Sequence, residues 1–367
     1  MPYSSNPYRA LLRPLSVLYG WGVALRHFCF DRGILPQVSY PIPVICVGNI
    51  IAGGTGKTPH VEYLIRLLGE RRRVALISRG YKRKSRGMII ASSSSSVADI
   101  GDEPKQILTK YPNIRLVVDG NRRRAMAYFM SLPEDERPEV VIMDDGYQHR
   151  YVRPSFSILL IDAARHPKDD HLLPEGLLRE PLEQIHRADC VIISKCPANM
   201  SSIERRIIDR GLRLYPHQQL FFSRMQPKAL CPVLSLGTET AQGRGSAPML
   251  GDRVMALAGI AQGEAFVRQL SQSYSVVQSY CFADHHNYRG EDLARLEQAF
   301  AELSAEQADK PLWCICTEKD AVRLYEHRSL LSSALLEHLY YQPIEVKLLQ
   351  RQEVFDRLIL SKARPLR

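Results

Sequence analysis

The chain has no apolar run long enough to cross a bilayer, no C-x-x-C pair, no repeat at a fixed period and no aromatic-interleaved basic motif. Each absence removes a class of protein. A membrane-spanning helix needs about 20 consecutive apolar residues. The uninterrupted part of the apolar N-terminal segment, residues 15–25, is shorter, being bounded by Arg13, Pro14 and Arg26-His27. No small-residue cleavage site follows it, which argues against a secretory signal. The eight cysteines (Cys29, Cys46, Cys190, Cys196, Cys231, Cys281, Cys314 and Cys316) are scattered, several of them inside apolar runs such as WCIC. They read as reduced, buried thiols of a cytosolic protein rather than a disulfide frame or zinc site. Without a fixed period, solenoids and propellers are excluded.

What is present is an ordinary globular balance, 45% apolar and 24% charged over 367 residues, enough for two domains. The formal net charge of +10 calls for acidic partners. Phosphates and an anionic membrane surface satisfy that charge as well as nucleic acid does, and without a nucleic-acid motif the expectation is no nucleic-acid partner. In the N-terminal segment, Tyr19, Trp21 and neighbouring Leu and Phe residues are flanked by Arg9, Arg13 and Arg26. Such a pattern fits either a helix lying in a membrane interface or one packed on the core.

The strongest signal is residues 44–58, VICVGNIIAGGTGKT. An apolar strand at 43–47 enters a glycine-rich turn and then a helix starting near Lys57 and Thr58. A phosphate-cradling loop needs this order. Gly53, Gly54 and Gly56, with Thr55, let backbone N–H groups turn inward, Lys57 supplies a cation for the outer phosphates, and the Thr58 hydroxyl can hold Mg²⁺. The usual G-x-x-x-x-G-K-[ST] spacing wants glycine at 51, where this chain has Ile51.

Further candidates sit just after other apolar strands. Asp144 and Asp145 follow the strand at 140–143, where a carboxylate can bind Mg²⁺ directly or through water. Asp102 and Glu103 precede a helix, either as caps or with separate jobs, Glu103 toward a metal and Asp102 toward a nucleophile. Asp284-His285-His286 ends a strand of the second half, but no other His or Cys cluster has zinc-ligand spacing. A histidine there suits orienting a carboxylate or relaying a proton.

Short strands alternating with helical segments predict an α/β fold: a P-loop NTPase-like, mostly parallel sheet with helices on both faces, plus a second, smaller α/β domain. In such sheets the strand ends gather on one edge, so distant motifs can share a site. The expected division is an amphipathic N-terminal region (1–38), a P-loop core (39–236), a second α/β domain carrying DHH (237–348), and a C-terminal helix (349–367). The Gly/Ser/Thr stretch 237–248 reads as the connector. A single late strand is expected at 340–348.

With these residues in hand the chain resembles the tetraacyldisaccharide 4'-kinases of lipid A biosynthesis. The resemblance rests on VGNIIAGGTGKTP (47–59), SRGY (78–81), GDEP (101–104), DDGYQH (144–149), LPEGLLREP (173–181), FADHH (282–286) and TEKDA (317–321), in that order. The family's own loop has this spacing, so Ile51 is no objection. The departure is Lys82, with basic neighbours, where a glycine is expected after RGY. The resemblance implies an ATP- and Mg²⁺-dependent lipid kinase acting on an acylated glucosamine disaccharide 1-phosphate, peripheral at the cytoplasmic face of the bacterial inner membrane, with no obligate protein partner. By motif it makes Lys57 and Thr58 phosphate and Mg²⁺ ligands, with Glu103 and Asp144 or Asp145 completing the metal shell. Asp102 would accept the proton of the 4'-hydroxyl while His285 orients it. Gln148, His149 and Arg179 would lie near the nucleotide or acceptor.

A different class remains open, a P-loop switch or metallochaperone GTPase acting on a protein partner. Ser194-Lys195 and Thr317-Glu318-Lys319-Asp320 loosely resemble base-reading motifs.

Overall fold

The computed structural model describes residues 11–165, 167–237, 247–307 and 309–364. Helix α1 (Arg13–Asp31) leads to strand β1 (Val44–Gly48), helix α2 (Lys57–Gly69) and β2 (Val74–Ser78). Next come α3 (Asp102–Lys110), β3 (Arg115–Val118), α4 (Arg122–Ser131), β4 (Val140–Asp144), β5 (Phe156–Asp162) and β6 (Cys190–Ser194). Then follow α5 (Ser202–Leu212), β7 (Gln219–Pro227), β8 (Arg253–Ala258), α6 (Gly263–Leu270) and β9 (Ser275–Cys281). The chain ends with α7 (Gly290–Glu306), β10 (Leu312–Thr317), α8 (Glu318–Glu326), β11 (Leu339–Gln342), β12 (Ile344–Leu348) and α9 (Gln352–Lys362).

These elements form two compact units, one of residues 1–79, 114–225 and 346–367, the other of residues 80–113 and 226–345. In the first, the strands lie in the order β12-β7-β6-β5-β1-β4-β2-β3. β1 pairs in parallel with β4 on one side and β5 on the other, and the parallel pairing runs on from β5 through β6 to β7. Every residue of β1, β2, β4, β5 and β6 is buried. Continuous Val/Ile/Leu runs therefore form these strands, because both faces of a parallel sheet are covered. The strand ends that carry Gly48 and Asp144 are neighbours, at the edge where ligands of such sheets bind.

The second unit has its own parallel core, β9-β8-β10-β11, edged by the antiparallel pair Cys231–Pro232. Met255, Leu257, Cys314, Cys316 and Leu339 pack there against Leu293, Leu296 and Phe300 of α7. The α/β class expected from the sequence is thus present.

The division of the chain departs from the expected boundaries, and the second unit takes up residues 226–236 as well. Residues 80–113, expected within the core domain, belong with the second unit, where α3 is tied to α8 through Lys110 and Glu318 at 2.7 Å. The late strand expected at 340–348 is two strands in different sheets, separated at Pro343, which has no N–H to continue a ladder. Of the expected connector, residues 238–246 lie outside the described residues.

Helix α1 is longer than residues 15–25. It runs through Arg26 and His27, with Pro14 near its start, where a missing N–H costs nothing. One face packs on the first unit: Ser16 Oγ donates to Leu172 O at 3.0 Å, and Tyr19 OH donates to Arg179 O at 2.8 Å. The other leaves Leu11, Leu15, Leu18, Trp21, Leu25 and Phe28 at least half exposed.

Candidate active site

The first unit builds an anion site at the end of β1. Gly56 stands just before α2 with φ +82°, a backbone that side-chain-bearing residues rarely adopt, so the turn favours glycine. The turn places Lys57 and Thr58 in the first turn of α2, where unpaired N–H groups and the helix dipole favour anions. Lys57 Nζ lies 3.3 Å from Asp145 Oδ1, and Arg179 Nη1 lies 3.2 Å from Asp145 Oδ2. Burial alone would raise the Asp145 carboxyl, but Lys57 and Arg179 outweigh it and hold it below the usual carboxylate range. Asp145 itself adopts φ +47°, an unusual backbone for a non-glycine residue. Asp144 is buried beside it, and its Oδ2 accepts from Ser78 Oγ at 3.4 Å.

Around this centre Gln148 Nε2 donates to Asn49 O at 2.7 Å, and Arg26 of α1 donates to Gln148 O at 2.7 Å. Burial, with Arg122 and Arg26 nearby, pushes the His149 imidazole down to about 4, so it is neutral near pH 7. Lys57, Thr58, Asp144, Asp145, Gln148 and Arg179 thus belong to one unit, as do the loop residues Gly53, Gly54, Thr55 and Gly56. Among the described residues no group of three or more His, Cys, Asp or Glu side chains is arranged to hold a metal. The Thr58 hydroxyl and the Asp144 and Asp145 carboxylates are nevertheless the hard oxygen donors Mg²⁺ takes, since it keeps several waters and uses one or two carboxylates besides substrate phosphates.

The second unit brings Asp102 and His285 together. His285 Nδ1 lies 2.7 Å from Asp102 Oδ2, an oxygen that Arg323 also binds, and Asp102 Oδ1 accepts from the Glu103 N–H at 2.9 Å. Burial would raise the Asp102 carboxyl, but the hydrogen bond from His285 and the charges of Lys319 and Arg323 hold it well below the usual carboxylate range. As an anion it accepts from Nδ1–H, which leaves the lone pair of a neutral imidazole on Nε2. Asp284 Oδ2 is 3.7 Å from Nε2, outside hydrogen-bond range. His285 has φ +59°, so this turn too stores backbone strain at a candidate site residue. The adjacent His286 bonds Asp292 at 2.9 Å and stacks on Phe282.

Arg323 is itself anchored. Fully buried Asp320 accepts from Arg323 Nη1 at 2.9 Å, from Tyr288 OH at 2.9 Å and from the Gly259 N–H at 2.8 Å. A Cβ on Gly259 would come within 2.7 Å of the Asp320 carboxylate, so glycine permits the approach. Thr317 caps α8 through the Asp320 N–H, a contact typically worth about 1 kcal/mol. Through Asp320 and Arg323 the TEKD segment therefore braces Asp102. Glu103 is ion-paired with Lys319 at 2.5 Å.

A family profile described as Tetraacyldisaccharide-1-P 4'-kinase (LpxK) matches residues 8–364. The chain belongs to this family. It is therefore an ATP-dependent kinase of lipid A biosynthesis, and the GTPase alternative is not favoured. The tetraacyldisaccharide 4'-kinase of Porphyromonas gingivalis is 46% identical over 351 residues, covering 95% of this chain and 96% of the relative. That of Parabacteroides distasonis is 41% identical over 355 residues, covering 96% and 94%. A crystal structure of LpxK from Aquifex aeolicus in complex with ATP superposes with TM-score 0.71 at 28% identity, covering 96% of this chain and 99% of that one.

Sequence reasoning gave three basic residues no place beside the candidate carboxylates. Arg122 is buried, and its Nη2 donates to Asp145 O at 3.3 Å; its position just after a strand end and Asp119-Gly120-Asn121 was the available signal. Lys319 and Arg323 were hidden because nothing local tells which carboxylate a helix-borne cation will meet. Lys82, where the family pattern expects glycine, adopts φ +58°, the conformation glycine takes most cheaply. Its Nζ donates to Asp284 O at 3.2 Å, and Tyr81 packs edge-on against His285 with ring centroids 5.2 Å apart.

Proposed function

We propose that the first unit holds MgATP and that the second activates the acceptor, the 4'-hydroxyl of an acylated glucosamine disaccharide 1-phosphate. The observation that carries the donor half is Lys57 beside Asp145 at the adjoining ends of β1 and β4, behind a glycine-rich turn. Lys57 and the N-terminal amides of α2 would bind the β- and γ-phosphates, and Arg179 would hold Asp145 in its ionised, oriented form. Thr58 and Asp144 or Asp145 would hold Mg²⁺, which when bound neutralises charge on the transferring phosphoryl group. Glu103, expected in that shell from the sequence, is ion-paired with Lys319 within the second unit.

For the acceptor, the Asp102–His285 pair takes the hydroxyl proton as one coupled unit. The sequence reading gave the proton to Asp102 and orientation to His285. Asp102 already accepts from His285, Arg323 and the Glu103 N–H, which weakens it as a base, while Nε2 is the His285 ring nitrogen not committed to Asp102. These contacts support sharing the task across the pair. Tyr81 and Lys82 then border the acceptor side of the dyad.

The exposed apolar face of α1 supports a peripheral seat at the cytoplasmic face of the inner membrane. No described helix is long and apolar enough to cross a membrane. A helix with one face docked on protein and Leu18, Trp21 and Leu25 on the other suits the headgroup boundary, and the net charge of +10 favours anionic lipid.

Calorimetric titration of ATP with and without Mg²⁺ tests the donor assignment. Lys57→Ala should weaken MgATP binding by about 10-fold or more, the scale of a lost charge-assisted contact. Unchanged affinity would remove the phosphate loop from the site.

A further inference from the structure

Ser194 and Lys195 form a motif that the catalytic account leaves unused. Both lie at the end of β6 in the first unit, and both reach the phosphate loop. Fully buried Ser194 donates through Oγ to Thr55 O at 2.8 Å, while Lys195 Nζ donates to Gly54 O and bonds Asp162 Oδ2 at 2.9 Å. On the α2 side, His60 Nδ1 lies 2.7 Å from Gly56 O. A carbonyl only accepts, so Nδ1 carries the proton. Nε2 then accepts from Ser223 Oγ at 3.0 Å, which fixes the tautomer. Lys195 holds φ +56°, a strained backbone for a lysine, and a mere surface cation would have no need of it.

The carbonyls of Gly54, Thr55 and Gly56 are therefore each taken by a side-chain donor, two from the end of β6 and one from α2 itself, where the His60 N–H also reaches Gly56 O at 3.3 Å. A loop that cradles phosphate must point its N–H groups at the ligand and its carbonyls away, and carbonyls left unpaired let the peptide planes flip. Donors behind the loop fix the peptide orientation before any nucleotide arrives. Binding then escapes part of the ordering cost.

We propose that Ser194, Lys195 and His60 are positioning residues that hold the phosphate loop in its anion-ready form by gripping its carbonyl oxygens from behind. The inference rests on the reading of that loop as the MgATP site. It also gives Ser194-Lys195 a role different from base reading.

The test is calorimetric binding of MgATP and steady-state kinetics on full-length Ser194→Ala, Lys195→Met and His60→Leu, with Lys57→Ala alongside. Loss of one such bond should raise Kd and KM for MgATP about 5- to 10-fold while kcat stays within about twofold. Ser194→Thr, which keeps the hydroxyl, should restore KM. Ser201→Ala, which removes a helix cap from α5 in the same unit, should lower Tm without moving KM. Lys195 is partly exposed, so Lys195→Met reports even if Ser194→Ala fails to fold. Unchanged KM in Ser194→Ala and Lys195→Met, with binding lost in Lys57→Ala, would overturn this inference and leave the donor site standing. Binding retained in Lys57→Ala as well would overturn both. A changed preference between ATP and GTP at constant KM for ATP would make Lys195 a base reader, against the inference.

Discussion

Asp102 and His285 lie 183 residues apart in the chain, yet they share a 2.7 Å hydrogen bond inside one compact unit. Placing His285 in a separate domain from Asp102, as the sequence suggested, would have made the dyad depend on domain closure. Instead α3 and the turn after β9 belong to the same body. His285→Ala should then lower kcat by about 100-fold, the range of a lost acid–base group, with a smaller effect on MgATP affinity. His285→Gln keeps a donor for Asp102 but has no titrating nitrogen, so it should lose nearly as much. Near wild-type turnover in His285→Gln would reduce His285 to a structural role.

Arg323 is the buried cation that faces Asp102. Its guanidinium touches Asp102 and is held by buried Asp320, so a fixed cation disfavours a proton on Asp102. Removing it in Arg323→Gln should move the acid limb of the kcat/KM profile to higher pH, because Asp102 then binds its proton more tightly. Arg323→Lys should recover part of the shift. A limb that stays in place, or moves to lower pH, contradicts this electrostatic role.

Exposed apolar residues on α1 should decide membrane partition. Leu18→Glu with Trp21→Glu replaces the centre of the exposed face, and burying each apolar side chain is worth about 1.5–3 kcal/mol. Co-sedimentation with vesicles containing phosphatidylglycerol should fall at least about tenfold. Partition equal to that of the unaltered chain would dissociate α1 from the membrane.

Much of the donor site was legible because its signals are local. VICVG and VVIMD are apolar runs that a doubly covered parallel sheet requires, and each delivers its motif at its own end. The β7 run QLFFSRMQP was not legible, since its polar residues break the buried pattern seen in the central strands. Pro343 did carry a usable signal, as proline inside an apparent strand argues for a break. The assignment of residues 80–113 to the second unit could not be read locally. It depends on contacts such as those of Glu103 with Lys319 and Asp102 with Arg323, whose partners are over 200 residues away. The same limit hid two of the donors behind the phosphate loop, since only the fold brings Ser194 and Lys195 to their carbonyls, whereas His60 meets Gly56 from four residues along the same helix.

The central claim is that the Asp102–His285 pair activates the acceptor hydroxyl for phosphate from ATP held at Lys57. Transfer of labelled γ-phosphate from ATP to detergent-dispersed tetraacyldisaccharide 1-phosphate measures it directly. The unaltered chain should form labelled product, Asp102→Ala should form it about 100-fold more slowly or worse while still binding MgATP, and Lys57→Ala should fail at MgATP use. No labelled product from the unaltered chain, or wild-type rates in Asp102→Ala, would contradict the account.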